Sequence, residues 1–173
     1  DGAVTATGKL TVSDPDAGEN HTIAVTNAAS AYGSWSVDTN GQWTYKLNNS
    51  NPAVQALGTG DKMTDSFTVT SQDGSATKTI IVTINGTNDL ATITGQITGS
   101  IDEGAPGPVS GTLNVSDKDS GEAGTKSASG TTNYGAWSVD TAGHWSYQLN
   151  NASPAVQGLT AGQTATDSFT VKS

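Results

Sequence analysis

The chain of 173 residues contains no cysteine, only seven basic side chains, all of them lysine, and no apolar run long enough to cross a membrane. Without cysteine, no disulfide braces the fold and no thiol can act in catalysis. Sixteen acidic residues give a net charge of −9. Such a surface disfavours nucleic acid and anionic membranes, and it attracts cations. We therefore expect no nucleic-acid partner and no membrane insertion.

Signatures of catalysis are also missing. The sequence has no Ser-His-Asp arrangement, no histidine pair at metal-binding spacing and no phosphate-binding glycine loop. Its two histidines, His21 and His144, stand alone. We expect the protein not to be an enzyme.

The chain does contain a long internal sequence repeat, present in two copies. "GKLTVSDPDAGE" (8–19) returns as "GTLNVSDKDSGE" (111–122), and "YGSWSVDTNGQWTYKLNN" (32–49) returns as "YGAWSVDTAGHWSYQLNN" (134–151). "NPAVQAL" and "TDSFTVTS" of the first copy return as "SPAVQGL" and "TDSFTVKS". The copies lie about 100 residues apart throughout, which indicates tandem repeats.

Each copy is rich in short alternating segments of strand-forming residues separated by Asn-Gly and Asp-Gly turns. The pattern predicts an all-β chain of two tandem immunoglobulin- or cadherin-like β-sandwich repeats, covering residues 1–88 and 89–173. The first copy lacks a counterpart of "ATITGQITGS" and the second lacks one of "QDGSATKTIIVTIN". We expect each repeat to miss one terminal strand: the first strand of repeat 1, and the last hairpin and strand of repeat 2.

All four tryptophans fall in the repeated hairpin, where Trp35, Val37, Trp43, Tyr45 and Leu47 alternate along one face. The alternation and its repetition favour a core role, in which cross-strand aromatics close a small sandwich. The alternative is a flat aromatic platform that stacks on sugar rings.

The acidic turn "SDPDAGE" holds Asp14 and Asp16, with Glu19 three residues further on. Its repeat "SDKDSGE" holds Asp117, Asp119 and Glu122 at the same spacing. Carboxylates two positions apart in a turn can converge on a hard cation such as Ca²⁺, whose remaining ligands come from loop carbonyls. The alternative is an Asx-turn, in which the aspartate bonds its own backbone. We predict calcium binding, because clustered acids otherwise repel one another.

Other acidic positions complete the candidate metal set. Asn88 and Asp89 lie between the copies, and Asp73 of the "QDGSA" hairpin is expected near the first acidic turn. Asp102 and Glu103 are weaker candidates. For Asp65 and Asp167, which open the "DSFTV" strands, a structural capping role is at least as well supported.

The chain resembles the VCBS repeat of large bacterial adhesins and RTX-type secreted proteins. The resemblance lies in the acidic turn, the tryptophan hairpin, the segment "DSFTVTSQDGSATKTIIVTINGTND" and the repeat length of about 100 residues. The resemblance implies a cadherin-like fold, export to the cell surface and frequent calcium binding. In cadherins, an Asn-Asp linker, a D-x-D turn and a later aspartate share ions between domains. The matching residues are Asn88, Asp89, Asp117 and Asp119 for the inner junction, and Asp14, Asp16 and Asp73 for the preceding one.

The expected function is a calcium-stiffened spacer of an extracellular bacterial adhesin, whose partners are neighbouring repeats of the same polypeptide. Two alternatives stay open. One is a filament subunit that exchanges β-strands with identical chains, and the other is a carbohydrate-binding module with glycans as its partners.

Overall fold

A computed structural model describes residues 4–173. The described residues belong to two compact units, Asp1–Asn88 and Asp89–Ser173, called repeat 1 and repeat 2 below. The chain is nearly all β, with antiparallel sheets as in cadherin-like sandwiches, which confirms the predicted fold class. Within the described residues no helix has the length and apolar character needed to span a membrane.

Repeat 1 is built from two sheets. Its strands are β1 (Thr5–Lys9), β2 (Val25–Ala29), β3 (Gly33–Val37), β4 (Gln42–Leu47), β5 (Lys62–Thr70) and β6 (Thr77–Asn85). The first sheet has the order β1-β4-β3-β2, and β5 and β6 form a separate antiparallel hairpin. Val37 and Tyr45 of the first sheet pack against Phe67, Val69 and Val82 of the hairpin, so the core lies between the two sheets.

Repeat 2 forms one five-stranded sheet. Its strands are β7 (Thr92–Gly95), β8 (Val109–Ser116), β9 (Ala128–Thr131), β10 (Gly135–Val139) and β11 (His144–Leu149), in the order β7-β8-β11-β10-β9. Phe169 and Val171, which follow these strands in the chain, pack on the cluster of Leu113, Val139, Trp145 and Tyr147. The segment that carries them is not a strand in this structure.

Local sequence explains the connections. The β3–β4 and β10–β11 hairpins turn at Gly41 and Gly143, whose φ angles of 78° and 84° favour glycine. After each hairpin comes a single helical turn, α1 (Pro52–Gln55) and α2 (Pro154–Gln157). Asn51 caps the first turn by accepting a hydrogen bond from Ala53 N at 2.9 Å, and proline follows the cap in both copies.

The tryptophans pack on phenylalanine. Trp35 and Phe67 stack with ring centroids 4.6 Å apart, and Trp137 and Phe169 do the same at 4.7 Å. Trp43 and Trp145 meet the same two phenylalanines edge to face. This packing accounts for the repeated tryptophans as core residues.

One sequence segment behaves differently in the two copies. "TLNVS" lies in β8, where residues 113–116 pair with β7, whereas "KLTVS" of repeat 1 is extended only to Lys9, the end of β1. In repeat 2 the pairing with β7 extends this segment as a strand to Ser116.

Candidate metal centres

The acidic turn of repeat 1 gathers three carboxylates. Asp14, Glu19 and Asp73 each offer an oxygen, and these oxygens lie within 4.8 Å of one another. Asp14 and Glu19 are half-buried, and Asp73 is exposed at the tip of the β5–β6 hairpin. Three oxygens at this separation form a site to which a cation is attracted.

Backbone hydrogen bonds shape this turn. Asp14 accepts from Asp16 N at 2.9 Å, which is the Asx-turn expected of the sequence, and Asp14 N donates to Asn20 Oδ1 at 2.6 Å. The two interpretations of the acidic turn are therefore compatible, because one oxygen of Asp14 organises the loop while its carboxylate belongs to the cluster.

Asp73 accepts hydrogen bonds from two neighbouring serines. The Ser71 hydroxyl donates to Asp73 Oδ1, and Ser75 adds further hydrogen bonds. These bonds, the one from Ser71 first, lower the pKa of Asp73 to about 2. Like any aspartate at physiological pH, Asp73 is a carboxylate, which is the form that a hard cation requires.

In repeat 2 the counterpart of the turn is organised in the same way. Asp119 N donates to Asp117 Oδ1 at 2.8 Å, and Glu122 N donates to the Asp119 carbonyl at 3.3 Å. The corresponding bonds of repeat 1 join Asp16 to Asp14 and Glu19 to Asp16. The loop conformation is thus a property of the repeated sequence.

Asp119 differs from its counterpart Asp16 in burial. Asp16 is exposed, whereas Asp119 is only 2% exposed. Asp119 Oδ2 accepts a hydrogen bond from Asp89 N at 2.8 Å, but its buried Oδ1 has no hydrogen-bond partner within the part of the chain that is described. An unpartnered buried carboxylate oxygen is costly and calls for a ligand.

Two groups of the eight predicted metal-binding residues come together. In repeat 1, Asp14 lies near Asp73. In repeat 2, hydrogen bonds from backbone N–H groups link Asp89 and Asp117 to Asp119. Asp16, Asn88 and Glu122 are exposed, and none of them belongs to the carboxylate group of repeat 1. Glu19 does belong to it. Its position in the repeated motif was the available signal, since it occupies the place that Glu122 takes in the second copy.

The donor set fits calcium. Carboxylate oxygens are the ligands that Ca²⁺ prefers, and carbonyls of the surrounding loop can complete its six to eight oxygens. Asp14, Glu19 and Asp73 would hold an ion in repeat 1, and Asp117 and Asp119 would do so in repeat 2. A charge-neutralising cation would also satisfy the buried Oδ1 of Asp119.

Asp65 and Asp167 belong to the core rather than to a metal centre. Asp65 accepts from Tyr45 Oη at 2.7 Å and Tyr32 N at 2.9 Å, and Asp167 accepts from Tyr147 Oη at 2.9 Å and Tyr134 N at 3.1 Å. Because hydrogen-bond donors already satisfy these two carboxylates, neither of them needs a cation.

Fold and sites together define a class, that of tandem β-sandwich repeats with carboxylate-rich turns. Residues 1–86 match the family described as the bacterial cadherin-like domain, so repeat 1 is a cadherin-like repeat. Such domains are typically extracellular or surface-exposed, and they are generally structural rather than enzymatic. Comparison with curated proteins found no match.

Proposed function

We propose that this chain is a calcium-stiffened spacer of VCBS type that projects the adhesive modules of a large bacterial surface adhesin. The observation that carries the proposal is the buried, unpartnered Oδ1 of Asp119. Leaving a carboxylate oxygen buried without a donor costs about 1–3 kcal/mol or more. A bound cation removes that cost, so the folded repeat gains stability when calcium is present.

Repeat 1 supports the same proposal from a different set of residues. Asp14, Glu19 and Asp73 come from two separate turns, and each is an oxygen donor of the kind that calcium prefers. With the chain at a net charge of −9, these carboxylates repel one another unless a cation lies among them.

The spacer role follows from the repetition. Each repeat has an apolar core of its own, and each carries an acidic turn of the same design. A chain of self-sufficient units gains length with every repeat, as in other tandem-repeat proteins. The tryptophans give no separate support for a glycan platform, because their rings pack on Phe67 and Phe169.

Calcium binding is tested by titration calorimetry on the whole chain. We expect calcium-specific heat with magnesium as the control ion, and a loss of one class of sites in Asp119→Asn and of another in Glu19→Gln. Asp61→Asn is the control, since Asp61 is an exposed acid that belongs to neither acidic turn. If titration of the parent chain with calcium releases or absorbs no heat of binding, the proposal that the chain binds calcium is rejected.

Stiffening is a separate matter and needs a separate measurement. Small-angle scattering of the chain in calcium and in chelator reports the distribution of its dimensions. A narrower, more extended distribution in calcium supports the spacer. If calcium binds by calorimetry but the distribution does not change, calcium stabilises the repeats without stiffening the chain.

A further inference from the structure

The two acidic turns differ in the residue that separates their aspartates. Repeat 1 has Pro15 at this position in "SDPDAGE", whereas repeat 2 has Lys118 in "SDKDSGE". Of the seven lysines in the chain, Lys118 is the only one with an acidic residue on each side, namely Asp117 and Asp119. The acidic turn of repeat 2 therefore contains a positive charge of its own, and that of repeat 1 does not.

Lys118 forms an ion pair with Asp89. Its Nζ lies 3.5 Å from Asp89 Oδ1, and the two side chains are 64% and 34% exposed. The backbone N–H of Asp89 donates to Asp119 Oδ2 at 2.8 Å, and Asp119 N donates to Asp117 Oδ1 at 2.8 Å. Lys118 thus contacts a carboxylate that hydrogen bonds link to both aspartates of the turn. Asp89, Asp117 and Asp119 are called the repeat 2 centre below.

The ion pair does not satisfy the most buried oxygen of this centre. Asp119 is 2% exposed, and its Oδ1 has no hydrogen-bond partner among the described residues, Lys118 included. The lysine therefore brings positive charge to the centre without binding the oxygen that most needs a partner. A cation that binds several oxygens at once can do both.

An ammonium group and a divalent cation compete for the same carboxylates. While Lys118 stays on Asp89, that carboxylate is less available to an ion, and the positive charge repels an ion that approaches Asp119. The pair is exposed to water, where ion pairs contribute little to stability and are easily broken. A divalent cation can therefore displace the lysine, but it binds more weakly than it would if the lysine were absent.

We propose that Lys118 is a resident counter-ion of the repeat 2 centre, which a divalent cation must displace from Asp89. The inference rests on the proposed calcium binding and adds how that binding is regulated. Without calcium, Lys118 offsets part of the repulsion among the three carboxylates, so the folded repeat loses less stability. With calcium, Lys118 lowers the affinity, so the centre fills at a higher calcium concentration than it would with a neutral residue at position 118.

The affinity is measured by calcium titration calorimetry on the whole chain carrying Glu19→Gln, which removes a carboxylate of the repeat 1 group and so isolates the repeat 2 centre. In this parent, Lys118→Met keeps the apolar stem and should raise the calcium affinity at least about threefold. Lys126→Met is the matched control, because it removes the same charge from an exposed lysine outside the acidic turn, and it should leave the affinity unchanged.

A double-mutant cycle assigns the effect to the ion pair. Asp89→Asn removes the partner of Lys118 but keeps the backbone N–H that binds Asp119. In the Asp89→Asn background, Lys118→Met should therefore give no further gain in calcium affinity. A gain of the same size in both backgrounds would show that the lysine does not act through Asp89, and it would overturn the proposal.

Melting temperatures in chelator test the same role without calcium. Lys118→Met should melt below the parent, because the three carboxylates lose their counter-ion, and Lys126→Met should melt with the parent. Equal melting of Lys118→Met and the parent in chelator would overturn the counter-ion role.

The calorimetry separates this inference from the proposed function. Equal calcium affinity in the parent and in Lys118→Met, or an equal gain in Lys126→Met, would overturn the inference and leave calcium binding intact. Calcium binding in Lys118→Met but not in the parent would support the inference and contradict calcium binding at repeat 2 of the parent chain. No calcium binding in any variant would overturn both.

Discussion

Tyr45 and Asp65 form a buried hydrogen bond of 2.7 Å between the two sheets of repeat 1, and Tyr147 and Asp167 repeat it at 2.9 Å in repeat 2. Asp65 also accepts from the backbone of Tyr32 and Ser66, so one carboxylate ties three segments of the chain together. The bond links β4 to β5, which belong to different sheets. It therefore stabilises the closed sandwich rather than either sheet alone.

The first prediction concerns this bond. Tyr45→Phe removes the hydroxyl and leaves a buried carboxylate with one donor fewer, so we expect a loss of about 1–3 kcal/mol in the free energy of unfolding. Tyr147→Phe should cost less, since Asp167 is half-buried and water can replace the donor. Urea unfolding of both variants measures the difference. Equal costs, or no cost at Tyr45, would contradict the role assigned to the bond.

The second prediction is acid sensitivity. Burial opposes the charge of Asp65, but the nearby Ser30 hydroxyl, the Tyr45 hydroxyl and backbone N–H groups outweigh it and lower its pKa. The folded pKa lies below the unfolded value of about 3.9, so this stabilisation is present above that value and is lost as the pH falls through the folded pKa. Urea midpoints between about pH 5 and pH 2 should fall more steeply for the parent chain than for Asp65→Asn.

The third prediction is alkaline sensitivity, with the opposite sign. Burial, and then the bond to Asp65 and its charge, raise the pKa of Tyr45. Stability from this group is complete below the unfolded tyrosine value of about 10 and is lost as the pH rises through the higher folded value. Absorbance titration of tyrosine, run beside unfolding, should show Tyr45 ionising only as the repeat unfolds. Ionisation of all four tyrosines in the folded chain near the ordinary pKa would contradict it.

The fourth prediction concerns a glycine beneath an indole. A Cβ added at Gly111 would lie 2.6 Å from Trp145 Cζ2, and Gly8 has the same relation to Trp43. Gly111→Ala must displace the ring, so we expect a loss of about 1–3 kcal/mol. Gly107→Ala is the control, because nothing lies within 4 Å of an added Cβ there. Thermal unfolding of both variants decides, and equal melting temperatures would refute the packing role of Gly111.

Much of the fold was predictable because its pairings are local. The alternation from Trp35 to Leu47 and the Asn-Gly turn predict the β3–β4 hairpin, and the Asp-Gly turn predicts β5–β6. The bond between Tyr45 and Asp65 was not predictable, because it joins residues of two sheets and the sequence pattern carries no information on that contact. Asp65 therefore looked like a capping residue and is instead a buried acceptor.

At the candidate metal centres, too, contacts between distant segments could not be predicted from the sequence. Asp16 and Asp119 occupy the same place in one motif, yet Asp16 is exposed, whereas Asp119 is buried and accepts a hydrogen bond from Asp89 N. Glu19 joins Asp14 and Asp73 through the fold of the turn, which spacing alone did not rank above Asp16. Motif spacing predicted the region where carboxylates gather, and the contacts made by neighbouring segments determine which oxygens lie together.

The most direct test of the central claim is the melting temperature of the parent chain and of Asp119→Asn in calcium, in magnesium and in chelator. A ligand that binds only the folded state, at about one hundred times its Kd, adds about 2.7 kcal/mol, so calcium should raise the melting temperature of the parent and magnesium should not. In chelator, Asp119→Asn should melt no lower than the parent, because it removes a buried charge while keeping the acceptor for Asp89 N. In calcium, the melting temperature of Asp119→Asn should rise less than that of the parent. An unchanged melting temperature of the parent in calcium, or a full calcium rise in Asp119→Asn, would contradict the account.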